Sequence, residues 1–104
     1  MKDTLVPTTT LEQLRTEKRD DIMALAAKHG ISNVRVFGSV ARGDDRPDSD
    51  IDFLIDLEKG RGLFDSYHFK HDLESSLNRQ IDVLLEESLR PYTKPSIMAD
   101  ATPL

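Results

Sequence analysis

Cysteine is absent from the 104-residue sequence, which excludes disulfides and thiolate metal sites and leaves the redox compartment unread from thiols. Long apolar runs are absent too: none approaches the roughly 18 residues needed to span a bilayer. The opening Met1-Lys2-Asp3-Thr4 carries one lysine and no apolar stretch follows it, so no secretory leader is expected and a cytoplasmic location is the default. Basic residues are in deficit, with a formal net charge of -5 and no visible basic patch, which argues against direct binding of nucleic acid. That deficit says little about a nucleotide carried with a divalent cation, because the cation supplies its own positive charge. The pattern GxxxxGK[ST] is missing, which removes the P-loop NTPase reading, and there is no internal repeat or low-complexity tract.

What remains is a chain of the length of one domain with a modest core. Residues 1–9 are polar, contain Pro7, show no period and are expected to form a loose arm. From Thr10, paired with Gln13 as a capping box, apolar Leu11, Leu14, Ile22, Leu25 and Ala26 predict one amphipathic helix ending at Gly30. The charged run Glu17 to Asp21 is read as its solvated face. Residues 31–37, 51–57 and 81–85 predict strands, and residues 40–43 the first turn of a short helix. A further helix is expected from Asp65 or Ser66 to Leu77, stopped at Asn78 or Arg79. The Pro-containing tail over 90–104 is assigned one short helix near 96–99. The order predicts an α/β (α+β) domain with a small mixed sheet of about three strands and helices on at least one face.

Two aspartates stand on alternate positions at the second strand, Asp50 and Asp52. Side chains alternate across a strand, so both acids take one face while Ile51, Phe53 and Ile55 take the other and build core. Their α-carbons lie roughly 6.5–7 Å apart, from which carboxylates can converge on metals about 3.5–4 Å apart. Taken alone, an Asp-x-Asp pair reads as a solvent-facing acidic stretch. Here it sits among strand-forming apolar residues, follows a Gly-Ser turn and is echoed by Asp82 in the apolar run IDVLL. An unpaired buried carboxylate is costly, and a divalent cation shared by the three acids would account for all of them. An EF-hand over Asp48-x-Asp50-x-Asp52 fails, since its sixth position is Phe53 and its twelfth Lys59.

Gly38-Ser39 suits a different task. Glycine lets the backbone approach a phosphate, a following helix start offers free N–H groups, and the Ser39 hydroxyl adds a donor. Arg42, one turn on, carries a guanidinium able to clamp phosphate oxygens. A lone Gly-Ser is weak evidence.

The combination is specific. Gly38-Ser39, ten residues, then Asp50-x-Asp52 resembles the signature of the DNA polymerase β-like nucleotidyltransferase superfamily. The wider string FGSVARGDDRPDSDIDFLID is similar to the minimal nucleotidyltransferases of prokaryotes, with IDVLL as the third-carboxylate strand. The resemblance covers roughly Leu11 to Leu89. It implies that Gly38 and Ser39 hold the triphosphate of ATP, that Asp50 and Asp52 bind Mg²⁺ (two ions), and that Asp82 is the third acid. Arg42 matches the family's Ala-Arg-Gly tripeptide. It further implies an antitoxin that transfers AMP to a tyrosine of a partner HEPN-domain ribonuclease toxin. No fingers-like or RNA-binding domain of the larger relatives is expected in the chain, which disfavours templated polymerisation and tRNA modification without a partner.

Two other readings stand beside this one: an antitoxin that acts by physically covering its toxin, and an orphan transferase acting on a small-molecule hydroxyl. The intact Gly-Ser and three acids favour catalysis over pure binding. His68 and His71 read as polar surface residues ahead of a metal pair with Asp72 or Asp65. Phe64 and Tyr67 are read as core or partner contacts, and Tyr92 as a partner anchor or an idle surface residue.

Overall fold

The computed structural model describes residues 9–104, so the arm expected over residues 1–9 lies, Thr9 apart, outside the described residues. Thr9 is the first cap: its hydroxyl accepts a hydrogen bond from the Glu12 N–H at 3.1 Å, opening helix α1 (Thr10–Arg15). The cap therefore sits one residue earlier than the sequence suggested, and Thr10 is free to donate from its hydroxyl to Asp45 Oδ2 at 2.7 Å. The single long helix is also two. The Thr16 hydroxyl bonds back to the Glu12 carbonyl at 2.7 Å, its backbone leaves helical geometry, and the chain restarts as α2 (Arg19–His29). Back-bonding of this kind by Thr competes with the helical ladder. The EKRDD run thus straddles a break instead of lining one face. Gly30 ends α2 in the left-handed conformation, as its position predicted.

Strand β1 (Ile31–Phe37) leads into the short helix α3 (Gly38–Arg42), then β2 (Ile51–Leu57), α4 (Leu63–Leu77) and β3 (Ile81–Leu85). A 3-10 turn at Glu86–Ser88 and helix α5 (Lys94–Asp100) precede a two-residue strand, β4 (Thr102–Pro103). Helix α4 begins at Leu63, two residues ahead of the expected Asp65. Asp65 instead reaches back from the third helical position, its Oδ2 accepting from the Gly62 N–H at 2.9 Å. Asn78, left-handed, ends the helix as expected.

The sheet is mixed and four-stranded, in the order β3-β2-β1-β4, with β2–β3 parallel and the other pairs antiparallel. The extra strand is β4, too short and too proline-bearing to read as one, and tolerated because it is an edge. One face of the sheet carries Val34, Val36, Ile51, Phe53, Ile55, Ile81 and Leu85, packed with Ile22 and Ala26 of α2 and Phe69 and Leu73 of α4. By alternation the opposite face carries Arg35, Asp52, Leu54, Asp56 and Asp82. Buried Arg35 is satisfied there: its Nη1 donates to Glu86, its Nη2 meets Asp56 Oδ1 at 3.4 Å, and its Nε donates to the Asn33 carbonyl at 3.0 Å. The connection from β3 to β4 runs from one sheet edge to the other, and on the way α5 packs against β1 and α3. Among the described residues, no helix is long and apolar enough to cross a membrane.

Phe69 is fully buried between α4 and the sheet. Phe69→Ala is expected to lower unfolding free energy by about 3–5 kcal/mol, read by urea denaturation.

Candidate active site

The acids meet at one end of the sheet, where β1 finishes and β2 and β3 begin. Parallel pairing sets Ile51 beside Ile81 and Asp52 beside Asp82, so the two carboxylates share a face on adjacent strands. Asp50 lies one residue ahead of β2, half-buried, while Asp82 is exposed. Antiparallel pairing brings Phe37, the last residue of β1, opposite Asp52. Gly38 follows with φ +71°, and a Cβ placed on it would stand 2.5 Å from Asp52 Oδ2. Conformation and space both demand glycine here, and the lack of a side chain lets the turn backbone lie against the carboxylate.

Helix α3 is anchored by Val40, which is buried, and closes when the Gly43 N–H donates to the Ser39 carbonyl at 2.9 Å. Ser39, the residue after Gly38, is half-buried and Arg42 is exposed. The loop from α3 to Asp50 is tied down at three points. Thr10 bonds Asp45, the Arg46 N–H donates to Ser49 Oγ at 2.8 Å, and Arg79 Nη2 donates to the Ser49 carbonyl at 2.6 Å. Arg79 also lies 4.0 Å from Asp45, whose side chain is only 10% exposed. The residue immediately before Asp50 is thus held by a side chain three positions ahead of Asp82.

Burial and the neighbouring carboxylates act on Asp52. The Asp52 carboxyl is pushed up from the ordinary 3.8 to about 6, first by burial, then by the charges of Asp82 and Asp50 and a hydrogen bond with Asp82, with Arg42 pulling weakly the other way. A carboxyl raised in the native state stabilises the fold below its unfolded value and loses that contribution as pH rises through its folded one. Without a cation, Asp52 therefore disfavours the native state increasingly between pH 3.8 and about 6. Hard carboxylate oxygens on one face are the donor type that Mg²⁺ or Ca²⁺ takes, and such an ion would relieve the repulsion. Among the described residues, no three His, Cys, Asp or Glu side chains already converge on one point. The donors fit in kind, with Asp52 and Asp82 side by side on adjacent strands and Asp50 one residue ahead of β2.

Arg42 does not stand free. Its Nη1 donates to Asp100 Oδ2 at 2.7 Å and its Nε to Asp44 Oδ2 at 3.3 Å. Sequence reasoning missed Asp100, Arg79 and the Thr10–Asp45 pair. Only Arg79, a lone base just ahead of an acid-bearing strand, gave any local signal. His68 and His71 sit on α4, away from the acids. His68 stacks with His29 at 6.3 Å between centroids, His71 meets Tyr67 at 4.6 Å, and His29 Nε2 lies 2.7 Å from Asp72 Oδ2. Phe64 and Tyr67 are not core: they are 81% and 55% exposed. Tyr92 is exposed as well.

Comparison with known proteins fits this arrangement. A family model described as "Nucleotidyltransferase domain" matches residues 19–103. The chain is 35% identical, over 82% of its length and 91% of the relative's, to a candidate protein adenylyltransferase, MJ0435, of Methanocaldococcus jannaschii. It is 31% identical to the protein adenylyltransferase MntA of Thermococcus cleftensis, over 88% of this chain and 92% of that one. A solved structure of a candidate minimal nucleotidyltransferase superposes with TM-score 0.79 at 41% identity, covering 95% of this chain and all of the other. A chain from a toxin–antitoxin crystallised with AMP-PNP superposes with TM-score 0.68 at 17% identity, covering 81% of this chain and 69% of that one, a likeness of fold alone.

Two outcomes check the geometry. Carboxyl-detected NMR titration without divalent cations should find Asp52 near 6, and Asp82→Asn should bring it down, since Asp82 contributes both charge and hydrogen bond to the shift. Gly38→Ala should displace the turn from Asp52 and cost about 1–2 kcal/mol from the left-handed backbone alone, measured by chemical denaturation.

Proposed function

The chain belongs to the nucleotidyltransferase domain family, and from that premise we propose that it transfers AMP from ATP, with Mg²⁺, to a hydroxyl of a partner protein. The partner is a HEPN-domain toxin, the acceptor a tyrosine, and the outcome neutralisation of the toxin. The observation that carries this reading is the in-register pairing of Asp52 with Asp82 beneath the Gly38 turn. The names of the relatives, protein adenylyltransferases and a toxin–antitoxin holding AMP-PNP, support it.

Asp50, Asp52 and Asp82 would hold Mg²⁺, and Gly38 and Ser39 would take the triphosphate, with Arg42 on a phosphate oxygen. Bound Mg²⁺ supplies charge neutralisation on the triphosphate and lowers the pKa of a hydroxyl beside it. Asp82 is the exposed acid of the three, so a hydroxyl carried on another protein reaches it first, and its carboxylate takes the departing proton. The acceptor oxygen bonds to the α-phosphorus in line with the breaking bond to pyrophosphate, and positioning does most of the catalytic work. Half-buried Asp52, gripped by the Gly38 turn, orients the site without contacting the acceptor.

A second reading has its own observation. Leu63, Phe64 and Tyr67 are 71%, 81% and 55% exposed at the start of α4, an apolar patch suited to physical contact with a partner. Incubation with ATP, Mg²⁺ and the product of the neighbouring reading frame, followed by intact-mass analysis, separates the two. One or more AMP units on that product are expected, and the double change Asp50→Ala, Asp52→Ala should cut transfer to below about one thousandth of wild type. Toxin neutralisation surviving that double change would favour physical covering. AMP found on a small hydroxyl compound, with no protein acceptor needed, would favour the orphan transferase.

A further inference from the structure

Asp100 closes α5 directly beside α3, and its contact with Arg42 spans 58 positions of sequence. The acid is well anchored. Thr102 Oγ1 donates to the Asp100 carbonyl at 2.9 Å, the next residues pair with β1, and Arg15 Nη2 donates to the Pro103 carbonyl at 2.9 Å. Arg42, by contrast, is a long side chain that is 50% exposed. Ion pairs this exposed contribute little to folding, so the contact has small weight as a structural tie. It does remove rotational freedom from a guanidinium one turn beyond Gly38-Ser39. With Asp44 on Nε and Asp100 on Nη1, the Nη2 amino group has no hydrogen bond among the described residues.

We propose that Asp100 is a positioning residue for nucleotide binding: it holds Arg42 at the rim of the acid site with spare donors ready for a phosphate oxygen. The C-terminal crossover thereby becomes part of the nucleotide site, although none of it lies in the Gly-Ser or acid motifs. The proposal rests on Arg42 contacting nucleotide. Ordering the arginine before the ligand arrives lowers the entropy lost on binding, and a fixed guanidinium fork suits phosphate geometry better than a mobile one.

The test is calorimetric titration of AMP-PNP with Mg²⁺ into the full chain and its variants, with thermal midpoints recorded alongside. Arg42→Ala should weaken binding by about tenfold, and Asp100→Ala and the near-isosteric Asp100→Asn by about three- to tenfold, with midpoints close to wild type. Asp100→Glu should restore most of the affinity, and Asp100→Ala should add nothing in the Arg42→Ala background. If Arg42→Ala weakens binding but Asp100→Ala leaves it unchanged, or tightens it as release of a competing latch would, the positioning role is wrong and the nucleotide contact stands. If Arg42→Ala itself has no effect, both fall.

Discussion

Two carboxylates side by side on neighbouring parallel strands are the constraint around which this chain is arranged. Asp52 and Asp82 repel, and nothing local to them explains why they stay in register. The reason lies on the other face of the sheet. Ile51, Phe53, Ile55, Ile81 and Leu85 are buried against α2 and α4, and a slip of one residue in either strand would turn that row to solvent. The core thus fixes the acids in a position that they would not adopt unaided. Burial first, and the charges of Asp82 and Asp50 after it, raise the Asp52 carboxyl in that position.

The rim of the site is assembled from distant parts of the chain. Gly38 comes from the end of β1, and Arg79 from the turn before β3 fastens the loop that delivers Asp50. Thr10 of α1 fastens the same loop from the other side, while α5 reaches Arg42 through Asp100. The second sheet face is therefore a crossed surface, held down by Arg35 between Asp56 and Glu86. Pairing of β1, β2 and β3 brings the Gly38 turn beside Asp52 and Asp82 at one end of the sheet, and the last segment, crossing from edge to edge, reaches Arg42 there. The apolar trio Leu63, Phe64 and Tyr67 stays exposed at the start of α4.

Much of this was legible in the sequence because the deciding signals are local. The alternation of Asp50 and Asp52 with Ile51, Phe53 and Ile55, the echo at Asp82 and the Gly-Ser break all read within a few residues. Gly30 and Asn78 were legible as helix stops for the same reason. What failed depended on competition or distance. Thr9 and Thr10 are equally good caps by composition, and the choice is settled by Asp45, which claims the second hydroxyl. The break after α1 comes from Thr16 bonding back to Glu12, a contest between two local hydrogen-bond schemes that periodicity does not weigh. Strand β4 exists only because β1 offers an edge, and Pro103 alone would argue against it. Arg42 shows a partner choice in Asp100 that no spacing rule reaches.

The central claim, that the Asp52–Asp82 pair exists to hold a divalent cation with nucleotide, is met most directly by a crystal grown with Mn²⁺ and AMP-PNP. The anomalous difference map should show a peak bounded by the carboxylates of Asp52 and Asp82, with Asp50 closing on it. Nucleotide bound with no peak there, or a peak held instead by His29, His68 and His71, would contradict it.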